Sequence, residues 1–163
     1  MPGTLDEAVK SGRLLASSLK NIRALLESAP SDLYARVVEE LVAAGQWDEL
    51  NDRFYKTLEF GTGGLRGRTI GKIVTKAERG KAAPDARPEF PCVGTNAMNF
   101  ANVNRATQGL VAYMKEWHEK NKMPKSPTME QRIEWHCAHA KNCGCRKIEG
   151  KLAEEMKKRG IKF

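Results

Sequence analysis

The sequence predicts an α/β chain, in which a helical N-terminal arm precedes a segment that contains β-strands. Two observations predict this class. Apolar residues recur at three- and four-residue spacing through the first 57 residues, as they do on the buried face of amphipathic helices. After Phe60, a glycine-rich stretch leads into residues 69–74, where β-branched residues predominate, as in strands.

Amphipathic stripes define the arm, residues 1–57. The first stripe predicts a helix over 5–28, which Pro30 and Ser31 end. A second stripe contains Tyr34, Val37, Val38, Leu41 and Val42 and ends at Gly45, and a short third helix is expected over 48–56.

Residues 58–163 form the second predicted segment, which has a different composition. Three prolines in 75–91 predict a loop insertion there, and Thr128 and Gln131 have the spacing of a capping box. The predicted elements are a strand over 69–74, a returning strand over 92–96, a helix over 102–119, a Lys/Pro linker over 118–128 and a last helix over 146–159.

Composition excludes several protein classes. With 163 residues, of which 40% are hydrophobic, the chain has room for one ordinary domain with its own core. It has no run of 18 apolar residues and does not begin with a basic-then-apolar leader, so we expect neither a membrane span nor a secretory signal. The cytoplasm is the expected compartment, and the four cysteines of the chain would stay reduced there.

The net charge of +8 is unevenly distributed. Residues 1–60 hold 7 Lys and Arg against 10 Asp and Glu, whereas residues 115–163 hold 13 against 7. A basic region suits an anionic partner, either a phosphorylated small molecule or nucleic acid, although charge alone favours a solvated basic surface. Nucleic acid is not the expected partner, because aromatic residues are few there and no nucleic-acid motif occurs.

The most informative stretch is Gly61-Thr62-Gly63-Gly64-Leu65-Arg66-Gly67. Glycines allow positive φ angles, and successive backbone N–H groups in such a turn can converge on one anion. Thr62 adds a hydroxyl and Arg66 adds a planar fork that suits phosphate oxygens. The pattern makes this stretch a candidate phosphate-binding loop, although the residues alone favour an ordinary hairpin turn with an exposed arginine. No Gly-Lys-Ser/Thr follows, so it is not a Walker loop.

Two blocks of the sequence resemble one enzyme family. The run from Phe54 to Gly67, ending in Phe-Gly-Thr-Gly-Gly-Leu-Arg-Gly, is similar to the N-terminal motif of the α-D-phosphohexomutases, the phosphoglucomutases and phosphomannomutases. The run Gly94-Thr95-Asn96-Ala97-Met98-Asn99, with the Arg-Ala-Thr-Gln-Gly-Leu sequence that begins at Arg105, resembles a second block of that family. The resemblance implies that residues 58–163 are part of a first domain with a mixed sheet flanked by helices, from a four-domain isomerase.

The resemblance also implies roles for individual residues. In that family a phosphoserine exchanges its phosphoryl group with a hexose phosphate, such as glucose 1-phosphate or glucose 6-phosphate, beside a Mg²⁺ ion. Arg66 would stabilise the transferring charge as the catalytic residue. The residues expected to shape the phosphate site or support it are Thr62, Gly63, Gly64, Gly67, Asn96 and Arg105.

Other parts of the family pattern are missing from this sequence. It contains no Thr-Ala-Ser-His-Asn-Pro serine loop and no Asp-x-Asp-x-Asp metal loop, and Ala97 stands where the family has arginine. We therefore expect no turnover and no bound Mg²⁺ from this chain alone. It would be a fragment, a truncated gene product, or a remnant that binds a phosphorylated ligand or a protein partner without catalysis.

A dense group of metal-binding residue types occurs near the C-terminus, namely His136, Cys137, His139, Cys143 and Cys145. Zinc is the metal that such residues would hold. However, no Cys-x-x-Cys or His-x-x-x-His spacing is present, and so dense a group seldom closes a tetrahedron. The sequence therefore predicts no metal site.

Overall fold

The computed structural model describes residues 2–61 and 63–163, and it is mainly helical. Helices contain 54% of the residues and strands contain 2%. The elements are α1 (Pro2–Lys10), α2 (Ala16–Glu27), α3 (Leu33–Ala43), α4 (Trp47–Phe54), β1 (Phe60–Gly61), β2 (Gly64–Leu65), α5 (Lys76–Arg79), α6 (Phe100–Lys120), α7 (Met129–Asn142) and α8 (Gly150–Lys158). In the part of the chain described, no helix is long and apolar enough to cross a membrane.

The chain divides into two compact units, Met1–Ala106 and Thr107–Phe163, so the boundary falls within α6. The first unit therefore contains both the helical arm and the glycine-rich segment, which the sequence assigned to different segments. The second unit contains α7, α8 and the C-terminal part of α6.

The helices predicted for the arm are confirmed, with one change. Where one helix was expected over 5–28, α1 and α2 are separated by a turn at Gly12, whose φ is +72°. The apolar faces of α1 to α4 enclose the core of the first unit, because the stripes predicted from spacing point inward. Its fully buried side chains include Ile22, Val37, Val38, Leu41, Leu50 and Phe54.

The predicted mixed sheet, and with it the α/β class, is wrong. Within the described residues the strands form one two-stranded antiparallel sheet, β1 with β2. Residues 69–74 and 92–96 are joined by one backbone hydrogen bond, from the Cys92 N–H to the Thr69 carbonyl at 2.9 Å, and do not form a strand ladder. Side chains bond to several of their other backbone groups. The Arg53 guanidinium donates to the carbonyls of Ile73 and Val93, and the Glu78 carboxylate accepts from the Val93 N–H.

The predicted insertion over 75–91 contains a short helix, α5. Thr75 caps this helix, and its hydroxyl accepts from the Glu78 N–H at 3.1 Å. The Glu78 carboxylate accepts in return from the Thr75 N–H at 3.0 Å, which completes a capping box. The capping box turns the Glu78 side chain inward, where it is 1% exposed.

The second unit has a small core in which Ile133, Leu152 and Met156 are buried. The predicted capping box is confirmed, since Thr128 and Gln131 bond reciprocally at the start of α7. α6 extends to Lys120, so the predicted linker over 118–128 begins later than expected. Leu110 and Val111, which the sequence placed on the buried stripe of α6, are 57% and 39% exposed.

Candidate functional site

The glycine–arginine segment forms a tight β-hairpin, which is the turn that the residues alone favour over a specialised loop. Phe60 pairs with Leu65 and Gly61 pairs with Gly64 in an antiparallel register. Gly63 has a φ of +84° and Gly64 a φ of +132°, which residues with side chains rarely adopt. Thr62, the predicted hydroxyl donor, lies outside the described residues.

The Arg66 side chain folds back toward this turn. A Cβ placed on Gly63 would lie 3.9 Å from Nη2 of Arg66, so the guanidinium sits beside the positive-φ glycine. Arg66 is exposed. No hydrogen bond or ion pair joins its guanidinium to any residue among 2–61 and 63–163. The hairpin therefore carries a cation whose donors are available to a ligand.

The next cations along the chain are neutralised. Arg68 pairs with Asp52, Nη1 to Oδ2 at 2.8 Å, and with Oε1 of Glu49 at 3.3 Å. Lys72 pairs with the same Asp52 oxygen at 3.2 Å. Arg66 therefore differs from Arg68 and Lys72 in having no carboxylate partner in the described part of the chain.

The two sequence blocks that carry the family resemblance pack against each other. A Cβ on Gly67 would lie 3.0 Å from the Met98 nitrogen and 3.3 Å from the carbonyl carbon of Ala97. The Met98 N–H donates to the Arg68 carbonyl at 2.9 Å. A side chain at position 67 would therefore require the neighbouring backbone to shift by a few tenths of an ångström, and glycine suits this close approach.

The second block caps the C-terminal end of α4. The Asn96 N–H donates to the Arg53 carbonyl at 2.9 Å, and the Asn96 Nδ2 donates to the Asp52 carbonyl at 3.1 Å. The Thr95 hydroxyl donates to the Lys56 carbonyl at 2.6 Å. The Asn96 side-chain amide thus ties the second block to α4. Arg105 is exposed on α6, and among the described residues no hydrogen bond or ion pair joins it to the hairpin.

Sequence reasoning missed the buried polar centre of this unit. All five N–H bonds of Arg53, which is 0% exposed, point at acceptors. Nε donates to Oε1 of Glu49 at 2.7 Å and Nη1 donates to Oε1 of Glu78 at 2.6 Å, and the remaining bonds go to Glu78 Oε2, Val93 O and Ile73 O. The signal was present, because Glu49 and Arg53 share a face of α4 with Leu50 and Phe54.

This ion network has electrostatic consequences for its members and neighbours. Burial lowers the pKa of the Arg53 guanidinium, but the hydrogen bond with Glu78 and the nearby negative charges outweigh it, so the pKa lies above its usual value. Burial raises the pKa of the Cys92 thiol to about 11. Cys92 is therefore protonated near neutral pH and is a poor nucleophile.

The magnesium ion that the resemblance implies does not fit the residues around the hairpin. The carboxylates of Glu49 and Asp52 already bond to Arg53, Arg68 and Lys72. Mg²⁺ prefers carboxylate and water oxygens in an octahedral arrangement, and cation-bound carboxylates do not provide one.

A second group of chemically active side chains lies in the second unit. Nε2 of His118 and Nε2 of His139 are 3.1 Å apart, and Sγ of Cys145 lies 3.3 Å from Nε2 of His139. With Cys143, whose Sγ contacts Sδ of Met114 at 3.7 Å, they form a quartet of ligand atoms that all lie within 4.8 Å of one another.

Aromatic packing fixes the central imidazole of this quartet. The Trp135 ring stacks on His139 with centroids 4.7 Å apart and an interplanar angle of 12°. Burial lowers the pKa of His139, and the neighbouring His118 and His136 lower it further, so the ring is neutral near pH 7.

The quartet differs from the group that the sequence singled out. Cys137 packs against the Ile133, Leu152 and Met156 core, and His136 Nδ1 is buried without a hydrogen-bond partner in the described structure. His118 lies 21 residues before His139 and was missed because no spacing pattern links residues so far apart.

Comparisons of the chain with protein-family models, with curated proteins and with solved structures found no match.

Proposed function

We propose that this chain binds a phosphate monoester, such as a hexose phosphate, through the hairpin of Gly61, Gly63, Gly64 and Arg66. One observation carries the proposal: an exposed guanidinium with no carboxylate partner lies beside two consecutive positive-φ glycines. The resemblance to the phosphohexomutase motif supports the same ligand class. The proposal places the chain in the cytoplasm, where its four free thiols stay reduced.

The chemistry of the hairpin suits a phosphoryl group. A dianionic phosphate accepts hydrogen bonds on three oxygens, and a guanidinium fork can hold two of them together. Backbone N–H groups at the glycine turn can approach closely, because no Cβ stands between them and the ligand. In phosphoryl transfer, such a cation stabilises the charge on the transferring group, which is the role we propose for Arg66 in a complete mutase.

Substitution of Arg66 tests the binding proposal. The chain is expected to bind glucose 6-phosphate with a Kd of about 1 mM, which corresponds to roughly −4 kcal/mol. Arg66→Ala should weaken this binding by at least about tenfold, since a hydrogen bond to a charged group contributes about 1.5–3 kcal/mol. The affinity of Arg66→Lys should lie between those of the unchanged chain and Arg66→Ala, because lysine keeps the charge but loses the planar fork. Backbone amide shifts of Gly63 and Gly64, followed by NMR during titration, measure the affinity.

Arg36→Ala is the matched control, because it removes one exposed positive charge from α3. It should leave the affinity unchanged. Glucose, which lacks the phosphate, should cause no shift at Gly63 or Gly64. Equal weakening by Arg36→Ala and Arg66→Ala would reduce the binding to a general charge effect and would contradict the proposal, as would equal binding of glucose.

The chain alone is expected to have no mutase turnover. Ser18 is fully buried in α2, and none of the other serines has the sequence context of the family's phosphoserine. A coupled assay of glucose 1-phosphate conversion, with Mg²⁺ and a hexose bisphosphate primer, should give the rate of the blank. Turnover that scales with protein concentration would show that another residue serves as the phosphoryl carrier.

A further inference from the structure

We propose that His118, His139, Cys143 and Cys145 bind one Zn²⁺ ion that stabilises the second unit. This site is independent of the hairpin, and its four ligands all lie within Thr107–Phe163. Two imidazoles and two thiols make up a ligand set that structural zinc sites commonly use.

The distances within the quartet are close to those of a tetrahedral zinc site. From Zn–N bonds of about 2.0 Å and Zn–S bonds of about 2.3 Å, two coordinating nitrogens lie about 3.3 Å apart, a nitrogen and a sulfur about 3.5 Å, and two sulfurs about 3.8 Å. The observed nitrogen pair is at 3.1 Å and the observed Cys145–His139 pair is at 3.3 Å. The other pairs all lie within 4.8 Å, so the four ligand atoms converge on one small region.

Hydrogen bonding alone explains this convergence poorly. A ring nitrogen of neutral imidazole offers either one N–H or one lone pair, and so makes one good hydrogen bond. Nε2 of His139 nevertheless has two close neighbours, Nε2 of His118 and Sγ of Cys145. A metal ion resolves the arrangement, because each ligand then directs its lone pair at the same central point.

The kind of metal follows from the ligands. Thiolate and imidazole select zinc and related soft or borderline ions, whereas Mg²⁺ and Ca²⁺ require oxygen ligands. Two thiolates also balance the 2+ charge of the ion. His139 is 1% and Cys143 3% exposed, so half of the ligand set is shielded from water, as in a structural site.

The second unit has a physical need for such a crosslink. Its three buried apolar residues, Ile133, Leu152 and Met156, form a small core, and small cores often depend on a metal. The four ligands come from the last turn of α6, from α7 and from the segment that follows α7. One ion would therefore join three parts of the unit, and its binding energy would add to the folding free energy.

Metal titration of the reduced, chelator-treated full chain tests the proposal. One equivalent of Zn²⁺ should bind, measured by competition with a chromophoric chelator. One equivalent of Co²⁺ should give the intense visible absorption of a tetrahedral thiolate site, which Zn²⁺ then abolishes. Cys145→Ser and His118→Ala should each weaken Zn²⁺ binding at least about 100-fold, because loss of a mere supporting contact already costs 10–100-fold.

The chain provides matched controls for each ligand type. Cys137→Ser and His136→Ala remove the same residue types from α7 at positions outside the quartet, and both should retain full binding. Cys145 is exposed, so Cys145→Ser should leave the helical circular dichroism unchanged and report on ligation rather than on folding. Absence of stoichiometric uptake, retention of uptake in the quartet variants, or equal loss in the Cys137 and His136 variants would each overturn the proposal.

Discussion

Replacement of Arg53 by methionine should lower the free energy of unfolding of the first unit by about 3 kcal/mol. Methionine is close to arginine in length but supplies none of the five donors, so two buried carboxylates lose their cation. Removal of one partner from a buried ion pair costs about 3–5 kcal/mol. A loss at the lower end of this range is expected, because Glu49 keeps its contact with Arg68. Glu78 likewise still accepts hydrogen bonds from the N–H groups of Thr75 and Val93.

Denaturant unfolding measures this loss, with Trp47 as the reporter. The chain has three tryptophans, and Trp117 and Trp135 lie in the second unit, so both are replaced by phenylalanine in the background used. Arg23→Met is the control, because Arg23 and its partner Asp6 are 51% and 42% exposed. An exposed pair contributes less than about 1 kcal/mol. If both methionine variants lose the same small amount, the buried network is not a major source of stability.

Replacement of Phe54 by alanine should cost about 3–5 kcal/mol, the usual range for a buried phenylalanine. Phe54 is 0% exposed within the core of the first unit. It also opens the sequence block that resembles the phosphohexomutase motif, so the variant tests whether that aromatic residue serves packing. The same Trp47 measurement applies.

Two companion variants test whether the volume and burial of Phe54 explain the expected loss of stability. Phe54→Leu retains most of the volume and should cost less than about 1.5 kcal/mol. Tyr55 is the adjacent aromatic residue but is 41% exposed, so Tyr55→Ala should have a much smaller effect than Phe54→Ala. Similar losses at positions 54 and 55 would mean that burial does not govern the contribution of this block.

The helical arm was predictable because its information is local. In α3, the apolar residues Tyr34, Val37, Val38 and Leu41 are buried, as their spacing requires. The turn at Gly63 was predictable for the same reason, since consecutive glycines specify a reversal within a few residues. Local periodicity and turn chemistry thus determine the parts of the chain where sequence and structure agree.

The predicted sheet failed because its evidence was also local, whereas the competing interactions were not. Residues 69–74 have the composition of a strand, but the Arg53 side chain donates a hydrogen bond to the Ile73 carbonyl, which a strand partner would otherwise use. A Glu–Arg pair four residues apart normally lies on a solvated helix surface. Only its position on the same face as Leu50 and Phe54 indicates that Glu49 and Arg53 are buried.

The quartet of His118, His139, Cys143 and Cys145 could be predicted only in part. Three of its members, His139, Cys143 and Cys145, lie within seven residues of one another, and the sequence drew attention to them. The fourth, His118, lies on another helix, and no spacing rule connects it to the others. Residues that meet only through tertiary structure leave no periodic signal.

The five bonds of Arg53 also bear on how the first unit opens. Four of them join α4 to groups 20, 25 and 40 residues further along the chain, in a stretch with little helix or strand. Such a stretch would ordinarily fray piece by piece, because loops have low local stability. Here, release of any one segment leaves a buried cation or carboxylate without its partner and only partly solvated. We therefore expect residues 69–98 and α4 to open together, despite the irregular backbone between them.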